Sequence, residues 1–205
     1  RYAYEPFVFG KSRDKDNKET YARAMKFFII FTLLAFLVVM GYMDILRHII
    51  GRDYWVGLKV VPIVMAGGIM TGVYFNLSFW YKLIDKTIWG AYFSGIGCAV
   101  IIGINVIFVP RYGYIACAWA GFLGNATAMI LSYIVGQRKY PIAYPLKSIF
   151  VYVLIGGLFF AGITISNERL SAPLALTVNT IIILLFVAHV LYHDLPLIKI
   201  RRHKS

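Results

Sequence analysis

The sequence predicts an all-α polytopic membrane protein, a bundle of six transmembrane helices with both tails in the cytoplasm. Apolar residues make up 60% of the 205 positions and charged residues only 15%, whereas soluble domains average about 45–50% and about 25%. A folded domain of this size still exposes much of its surface, so a surface this apolar must face lipid. The composition therefore excludes a soluble enzyme, a disordered tail and a secreted disulfide scaffold.

Six uncharged stretches supply the predicted helices. In chain order they contain 17, 22, 24, 26, 20 and 24 residues, and a spanning helix needs about 17–25 apolar residues. Their apolar residues run continuously rather than in alternation, which favours helices over barrel strands. The membrane domain then covers residues 27–193, with helices over about 27–45, 60–80, 88–109, 114–136, 148–166 and 171–192.

The first of these helices is the shortest, since 17 residues reach only about 25 Å. Lys26 and Asp44 stand at its two ends and can extend toward the two interfaces. The loop that follows, residues 44–59, alternates apolar and basic residues, as an interfacial helix does. Aromatic residues cluster at the ends of the later helices, which is typical of the belts at membrane interfaces.

The distribution of basic residues predicts which helix ends face the cytoplasm. With six spans, 16 of the 21 Lys and Arg lie on the side shared by the two tails and 5 on the other, and cytoplasmic loops carry the excess of such residues. Residues 1–26 are therefore predicted to be a cytoplasmic or interfacial segment, and residues 194–205 a basic cytoplasmic tail. The net charge of +12 thus reports topology and gives no evidence for nucleic acid.

The sequence offers no catalytic or metal-binding motif. Cys98 and Cys117 lie in apolar runs and form neither a disulfide framework nor a metal site. His189 and His193 share a helix face, but Val190 stands where a zinc protease motif needs glutamate. A phosphate-binding glycine loop, a nucleophile elbow and a deep pair of carboxylates are also missing. We therefore expect no metal, no cofactor and no enzyme activity.

Asparagines are the polar residues of most interest in the uncharged stretches. No charged residue lies deep in these stretches, although ion-coupled pumps usually keep one there. The asparagines concerned are Asn76, Asn105, Asn125 and Asn179. Their amides either face a polar cavity or join helices through hydrogen bonds, and the sequence leaves both interpretations open.

Small residues predict two close helix contacts. Gly68 and Gly72 form a GxxxG pattern, and Cys117, Gly121 and Asn125 continue a spacing of four on another helix. Small side chains let transmembrane backbones approach one another, which is the first interpretation of both patterns. Hinging during a transport cycle is the alternative.

Three stretches carry a resemblance to a known family. They read RYAYEPF over Arg1–Phe7, YWVGLKVVP over Tyr54–Pro62, and YFNLSFWYKLIDKT over Tyr74–Thr87, followed by GAY at Gly90–Tyr92. These segments resemble those of the Wzx-type flippases in the multidrug/oligosaccharidyl-lipid/polysaccharide flippase superfamily. The likeness extends over residues 1 to about 145 and fades in the last two predicted helices.

The resemblance implies a transporter with two helical lobes around a central cavity. Such a protein flips a polyprenyl-pyrophosphate-linked oligosaccharide across the bacterial inner membrane by alternating access, for surface polysaccharides such as lipopolysaccharide O-antigen. This chain would be the C-terminal lobe with trailing helices. Its implied partners are the lipid-linked oligosaccharide, membrane lipids and a missing N-terminal lobe, which agrees with a chain that opens on Arg1 rather than Met.

The resemblance also suggests which residues meet the substrate. Arg1 is the best cation for the pyrophosphate, and Glu5 would pair with it or orient it. The intramembrane amides Asn76, Asn105 and Asn125 would serve the sugars.

A charged turn is the other implied site. Lys82, Asp85 and Lys86 lie at the predicted cytoplasmic ends of the second and third helices. They form either a gate or a charged turn that fixes topology, and both interpretations stay open.

Three alternatives belong to other classes of function. An ion-coupled multidrug exporter of the same superfamily would need a deep carboxylate. A membrane-embedded sugar polymerase or ligase would need a large extracytoplasmic loop with paired Arg or His, whereas the predicted outer loops are short. A structural subunit without transport activity remains compatible with the sequence.

Overall fold

A computed structural model describes residues 17–202 of the chain. Helices account for 89% of these residues, and the described part of the chain contains no strand. Within residues 17–202, six helical segments are long and apolar enough to cross a membrane. The prediction of an all-α, six-helix, multi-pass membrane protein is therefore confirmed.

Eight α-helices and one 3-10 helix make up the described residues. They are α1 (Asn17–Gly41), α2 (Met43–Leu46), the 3-10 helix (Arg52–Val60), α3 (Val61–Leu77), α4 (Phe79–Leu83), α5 (Ile88–Tyr112), α6 (Tyr114–Lys139), α7 (Leu146–Arg169) and α8 (Ala172–Arg202).

Of the helices that extend beyond the uncharged stretches that predicted them, α1 and α8 extend furthest. α1 begins at Asn17, and an ion pair of 3.0 Å between Arg23 and Glu19 stabilises its first turns. α8 continues through Arg202. Glu, Lys and Arg are good helix formers, so a charge ends the apolar stretch without ending the helix.

Turns with left-handed backbone separate the neighbouring helices α4, α5 and α6. Gly113, with φ of 58°, joins α5 to α6, where a residue without a Cβ adopts this conformation at no steric cost. Asp85, with φ of 53°, lies between α4 and α5, and Asp is among the residues that tolerate it. The Lys86 amide closes this second turn by donating to the Tyr81 carbonyl at 2.8 Å.

The chain forms two compact units. The first contains described residues 17–29 and 59–145, and the second contains residues 30–58 and 146–202. In the first unit α6 packs against both α5 and α3, and in the second α7 packs against α8.

A stripe of small residues along α6 makes the packing of the first unit possible. A buried small residue recurs every four positions, at Ala116, Ala120, Gly124, Ala128, Ser132 and Gly136. Four residues turn an α-helix by about 400°, so each step shifts the stripe by about 40° around the axis. The stripe therefore winds around α6, which suits a helix with two packing partners.

The closest approach in this stripe joins α5 to α6. A Cβ added to Gly97 would lie 2.9 Å from the Gly124 carbonyl oxygen, and one added to Gly124 would lie 2.8 Å from the Gly97 carbonyl oxygen. The backbones themselves are thus in contact, and no other residue type fits at either position.

The predicted small-residue contacts are partly wrong. Gly72 does make a close contact, with the Phe28 ring of α1, but nothing lies within 4 Å of a Cβ placed on Gly68 or Gly121. The contacts fall one residue earlier in α3, at Gly67, and three residues later in α6, at Gly124. Small residues stand side by side in both helices, so the spacing alone did not define the packed face.

Candidate solute-binding site

A mainly apolar cavity with several hydrogen-bonding side chains in its lining lies among α3, α5 and α6 of the first unit. Its volume is about 230 Å³, and four hydrogen-bonding side chains contribute to its lining: Thr71, Tyr74, Ser94 and Asn125. Ligand sites for drug-sized molecules span about 300–1,000 Å³, so this cavity would hold one part of a larger solute.

Small residues create the space for this cavity. Gly97, Gly124 and Ala128 all line it, at the level where α5 and α6 touch. A Cβ on Gly67 of α3 would lie 3.3 Å from the Phe122 Cα, so this glycine lets α3 lie close to the α6 backbone beside the cavity.

A chain of hydroxyl groups orders one side of the cavity. Tyr74 donates to the Gly90 carbonyl at 3.1 Å, and its oxygen lies 3.1 Å from Ser94 Oγ. The Tyr81 hydroxyl donates to that of Tyr74 at 3.5 Å. Asn125 lines the same cavity, and its amide offers both donors and an acceptor to a solute.

Beside the cavity, a buried aromatic cluster joins α4 to α5 and α6. Trp80 is only 2% exposed and donates from Nε1 to Ser132 Oγ at 3.3 Å. A Cβ on Gly136 would lie 2.8 Å from the Trp80 ring, so the indole lies directly against the α6 backbone. Tyr81 and Phe93 pack in the same cluster. Part of the stretch at residues 74–92 that carries the resemblance, Tyr74 together with Trp80 and Tyr81, therefore packs in this buried cluster beside the cavity.

The structure separates the site residues that the sequence grouped together. Asn125 lines the cavity, whereas Asn76 donates to the Gly72 carbonyl of its own helix at 3.0 Å. Asn105 lies outside the cavity lining, and its Oδ1 is buried without a hydrogen-bond partner among the described residues. Arg1 and Glu5 lie outside the residues that the structure describes.

The charged turn between α4 and α5 lies at the surface of the first unit. Asp85 and Lys86 are exposed, and Lys82 places its Nζ 5.6 Å from the centre of the Phe79 ring. This geometry fits a solvated turn and fits a gate equally well, so the two interpretations stay open.

Asn179 joins three helices of the second unit. It is fully buried, and its Nδ2 donates to the Gly41 carbonyl of α1 at 2.9 Å and to Asn167 Oδ1 of α7 at 2.8 Å. Gly41 is the last residue of α1, so its carbonyl has no partner within that helix. Of the two interpretations of the intramembrane asparagines, helix joining is confirmed for this one.

We expect Asn179→Ala to lower the free energy of unfolding by about 1–2 kcal/mol, since one interhelical hydrogen bond in a membrane contributes about 0.6 and at most about 1.7 kcal/mol. SDS-induced unfolding of the purified protein measures this loss. Asn105→Ala is the matched control, and it should cost little because the Asn105 carbonyl oxygen has no partner among the described residues. Equal losses for the two variants would contradict the assignment.

A second polar group, which sequence reasoning missed, joins α7 and α8. Tyr152 donates to Asp194 Oδ2 at 2.8 Å, and both residues are only 3% exposed. The His189 ring centre lies 5.6 Å from that of Tyr152 and 4.7 Å from that of His193. Asp194 falls one residue beyond the predicted membrane domain. The sequence holds no signal that identifies it, because an aspartate just past an apolar stretch is equally typical of an exposed helix end.

Histidine, cysteine and carboxylate side chains do not gather into a metal site in the described part of the chain. Within the described residues, no group of three or more His, Cys, Asp or Glu side chains could hold a metal ion. Cys98 and Cys117 are free thiols at exposed positions.

Comparison with known proteins gave no matching family model, no matching curated sequence and no matching solved structure.

Proposed function

We propose that this chain is part of a transporter that flips a polyprenyl-pyrophosphate-linked oligosaccharide across the bacterial inner membrane by alternating access. The observation that carries the proposal is the set of four hydrogen-bonding side chains that line one cavity of an apolar six-helix protein. Its hydroxyl and amide groups offer the donors and acceptors that a sugar needs, without a charged side chain in the lining.

The location of the resemblance supports the same function. Tyr74 lines the cavity, and its hydroxyl donates to the Gly90 carbonyl and accepts from the Tyr81 hydroxyl. All three residues belong to residues 74–92. This stretch resembles the Wzx-type flippases, so it suggests the class of solute that the cavity would receive. In the proposed cycle the substrate crosses unchanged, with no enzyme step, cofactor or metal.

The remaining parts of the proposal concern topology and partners. Both tails would face the cytoplasm, and an N-terminal lobe of the same protein would complete the path for the solute. The pyrophosphate would meet Arg1, while Lys82 and Lys86 would belong to the gate or the charged turn. The lipid tail would stay in the bilayer throughout.

One observation favours a second candidate function, ion-coupled multidrug export. Buried carboxylates in membrane proteins often serve ion coupling or bind cationic solutes. Asp194 is such a carboxylate, in the second unit.

Reconstitution of the complete gene product that carries this chain distinguishes the two functions. Liposomes would contain a fluorescent polyprenyl-pyrophosphate oligosaccharide, and a membrane-impermeant reductant would report how much label reaches the outer leaflet. Protein-dependent transfer supports the flippase. Absence of transfer, together with ion-driven efflux of a cationic dye, supports the exporter and contradicts the flippase.

We expect Asn125→Leu to lower the initial rate of transfer about tenfold, since a hydrogen bond to the solute contributes about 0.5–1.5 kcal/mol. The liposome assay measures this rate. The matched control is Thr127→Val, because Thr127 bonds to the Leu123 carbonyl of its own helix at 2.7 Å and does not line the cavity. An unchanged rate for Asn125→Leu would remove this residue from the site.

A further inference from the structure

Basic side chains gather at one end of the first unit, where the last turn of α6 meets the first turn of α1 and the helix α4 with the turn after it. These segments meet because Tyr140, the residue after α6, packs against the buried cluster that contains Tyr21 of α1 and Phe79 of α4. Five cations stand on these segments and form what we call the basic surface: Lys18, Lys82, Lys86, Arg138 and Lys139.

Few carboxylates balance this charge in the described part of the same segments. The acidic side chains there are those of Glu19 and Asp85, and Glu19 forms an ion pair of 3.0 Å with Arg23 of α1. Among the described residues, the basic surface therefore has five cations against one carboxylate outside that ion pair. Such an excess of one charge attracts a partner of the opposite charge.

Aromatic rings hold two of these cations in place without cancelling their charge. Lys18 Nζ lies 4.4 Å from the centre of the Tyr140 ring, and Lys139 Nζ lies 4.9 Å from the centre of the Trp89 ring, within the reach of about 6 Å of a cation–π interaction. A carboxylate neighbour would neutralise the ammonium group, whereas a ring is uncharged and contacts one side of it. Both lysines are exposed, so each keeps N–H donors for an anion.

The rings beneath these two lysines are themselves fixed by packing. Tyr140 and Trp89 both pack against the buried aromatic cluster that joins α4 to α5 and α6. Gln137 Nε2 donates to the Ile142 carbonyl at 2.7 Å, which holds the chain after α6 against the last turn of that helix. The two ammonium groups are therefore positioned before any partner arrives, and this lowers the entropy cost of binding.

The depth of the basic surface in the membrane indicates the chemistry of its partner. The span of α5 begins at Ile88 and the span of α6 ends at Lys139, so the cations lie at the level of the lipid headgroups. Apolar surface follows at once along α5, where Ile88 and Tyr92, on either side of Trp89, are each 58% exposed. A molecule that contacts both surfaces combines an anionic headgroup with an apolar tail, whereas a soluble anion or a nucleic acid would contact the cations alone.

We propose that the basic surface binds the headgroups of acidic phospholipids, with phosphates on Lys18 and Lys139. Basic groups at the ends of membrane helices attract anionic headgroups, while a zwitterionic phospholipid brings an ammonium group of its own that the cations repel. The five cations come from three segments of the chain, so the surface suits several headgroups side by side. This inference rests on the membrane spans and does not depend on the proposed flippase.

Photolabelling of the complete gene product tests this binding. The probe is phosphatidylglycerol with a diazirine in one acyl chain near the glycerol, added to the protein in phosphatidylcholine nanodiscs. We expect labelled peptides within residues 88–96, competition by unlabelled phosphatidylglycerol but not by phosphatidylcholine, and weaker labelling at high salt, which screens exposed charges. Absence of label from residues 88–96, equal competition by phosphatidylcholine, or stronger competition by a polyprenyl phosphate than by phosphatidylglycerol would each overturn the proposal.

Charge variants with a matched control make the test specific. Lys18→Gln and Lys139→Gln should each lower labelling of residues 88–96 about fivefold, as expected for one lysine near an anionic surface. Lys139→Arg keeps the charge and should label normally, which separates loss of charge from misfolding. Arg111→Gln is the matched control, since it removes an exposed cation in the last turn of α5, at the opposite end of that helix from Trp89. Normal labelling of both glutamine variants, or an equal loss in Lys139→Arg or Arg111→Gln, would overturn the proposal.

Discussion

Gly124→Leu is expected to prevent stable packing of α5 on α6 and to give the largest loss of stability of any single substitution in the first unit. A Cβ at this position would lie 2.8 Å from the Gly97 carbonyl oxygen and would also overlap the Ile101 side chain. The carbonyl belongs to a helix backbone and cannot move aside as a flexible side chain can. The helices must therefore separate, which also opens the cavity that Gly124 lines.

The expected loss is at least about 3 kcal/mol, at the upper end of the range for overpacked cores. Two measurements show it: the free energy of SDS-induced unfolding, and the fraction of monodisperse protein after purification in detergent. Gly97→Leu should behave in the same way, because its Cβ would lie 2.9 Å from the Gly124 carbonyl oxygen.

Gly121→Leu is the matched control on the same helix. Nothing lies within 4 Å of a Cβ on Gly121, and replacing glycine inside a helix gains up to about 1 kcal/mol of helix propensity. This variant should be as stable as the parent or slightly more so. If Gly121→Leu destabilises the protein as much as Gly124→Leu does, the buried face of α6 is assigned wrongly.

The six-helix fold could be predicted from the sequence because lipid offers no hydrogen-bond partners to the backbone. Backbone groups in the bilayer must bond within their own segment, so a continuous apolar stretch of spanning length becomes a helix. This argument concerns only length and charge. It therefore gives the number of spans, whereas it misplaces the start of α1 and the end of α8, because charged residues extend both helices beyond the apolar stretches.

Which face of each helix is buried could not be predicted in the same way. In a membrane protein the lipid-facing surface is as apolar as the core, so hydrophobic periodicity carries little information. The helix α8 shows this, since Phe186 is fully buried while Leu184 is 60% exposed. The adjacent small residues Gly67 and Gly68 present the same ambiguity, and only the packing identifies Gly67 as the contact.

The candidate site was predictable by residue type more than by position. A preference for intramembrane amides identified Asn125, but it also selected Asn76, which bonds to its own helix. Tyr74 and Ser94 reach the cavity from two helices and share a hydrogen bond. Such a pair depends on the crossing of α3 and α5, which no spacing within one helix reveals.

Tyr152→Phe is the substitution with the largest expected effect in the second unit. It removes the hydroxyl that donates to Asp194 Oδ2 at 2.8 Å and keeps the ring that packs against Phe186. A buried carboxyl group that loses its donor costs about 1–3 kcal/mol, and more when it is charged. We expect a loss of about 3 kcal/mol in the free energy of SDS-induced unfolding, at the upper end of this range because Asp194 is a carboxyl group.

A double-mutant cycle with Asp194→Asn assigns this loss to the pair. The amide that this substitution introduces is uncharged, so in that background removal of the Tyr152 hydroxyl should cost only about 1 kcal/mol, the net value of a neutral hydrogen bond. Tyr192→Phe is the matched control, since Tyr192 is 79% exposed on the same helix as Asp194, and it should leave stability unchanged. Additive losses in the cycle would mean that the Tyr152 hydroxyl stabilises the protein through contacts other than Asp194, and that its bond to Asp194 does not hold α7 to α8.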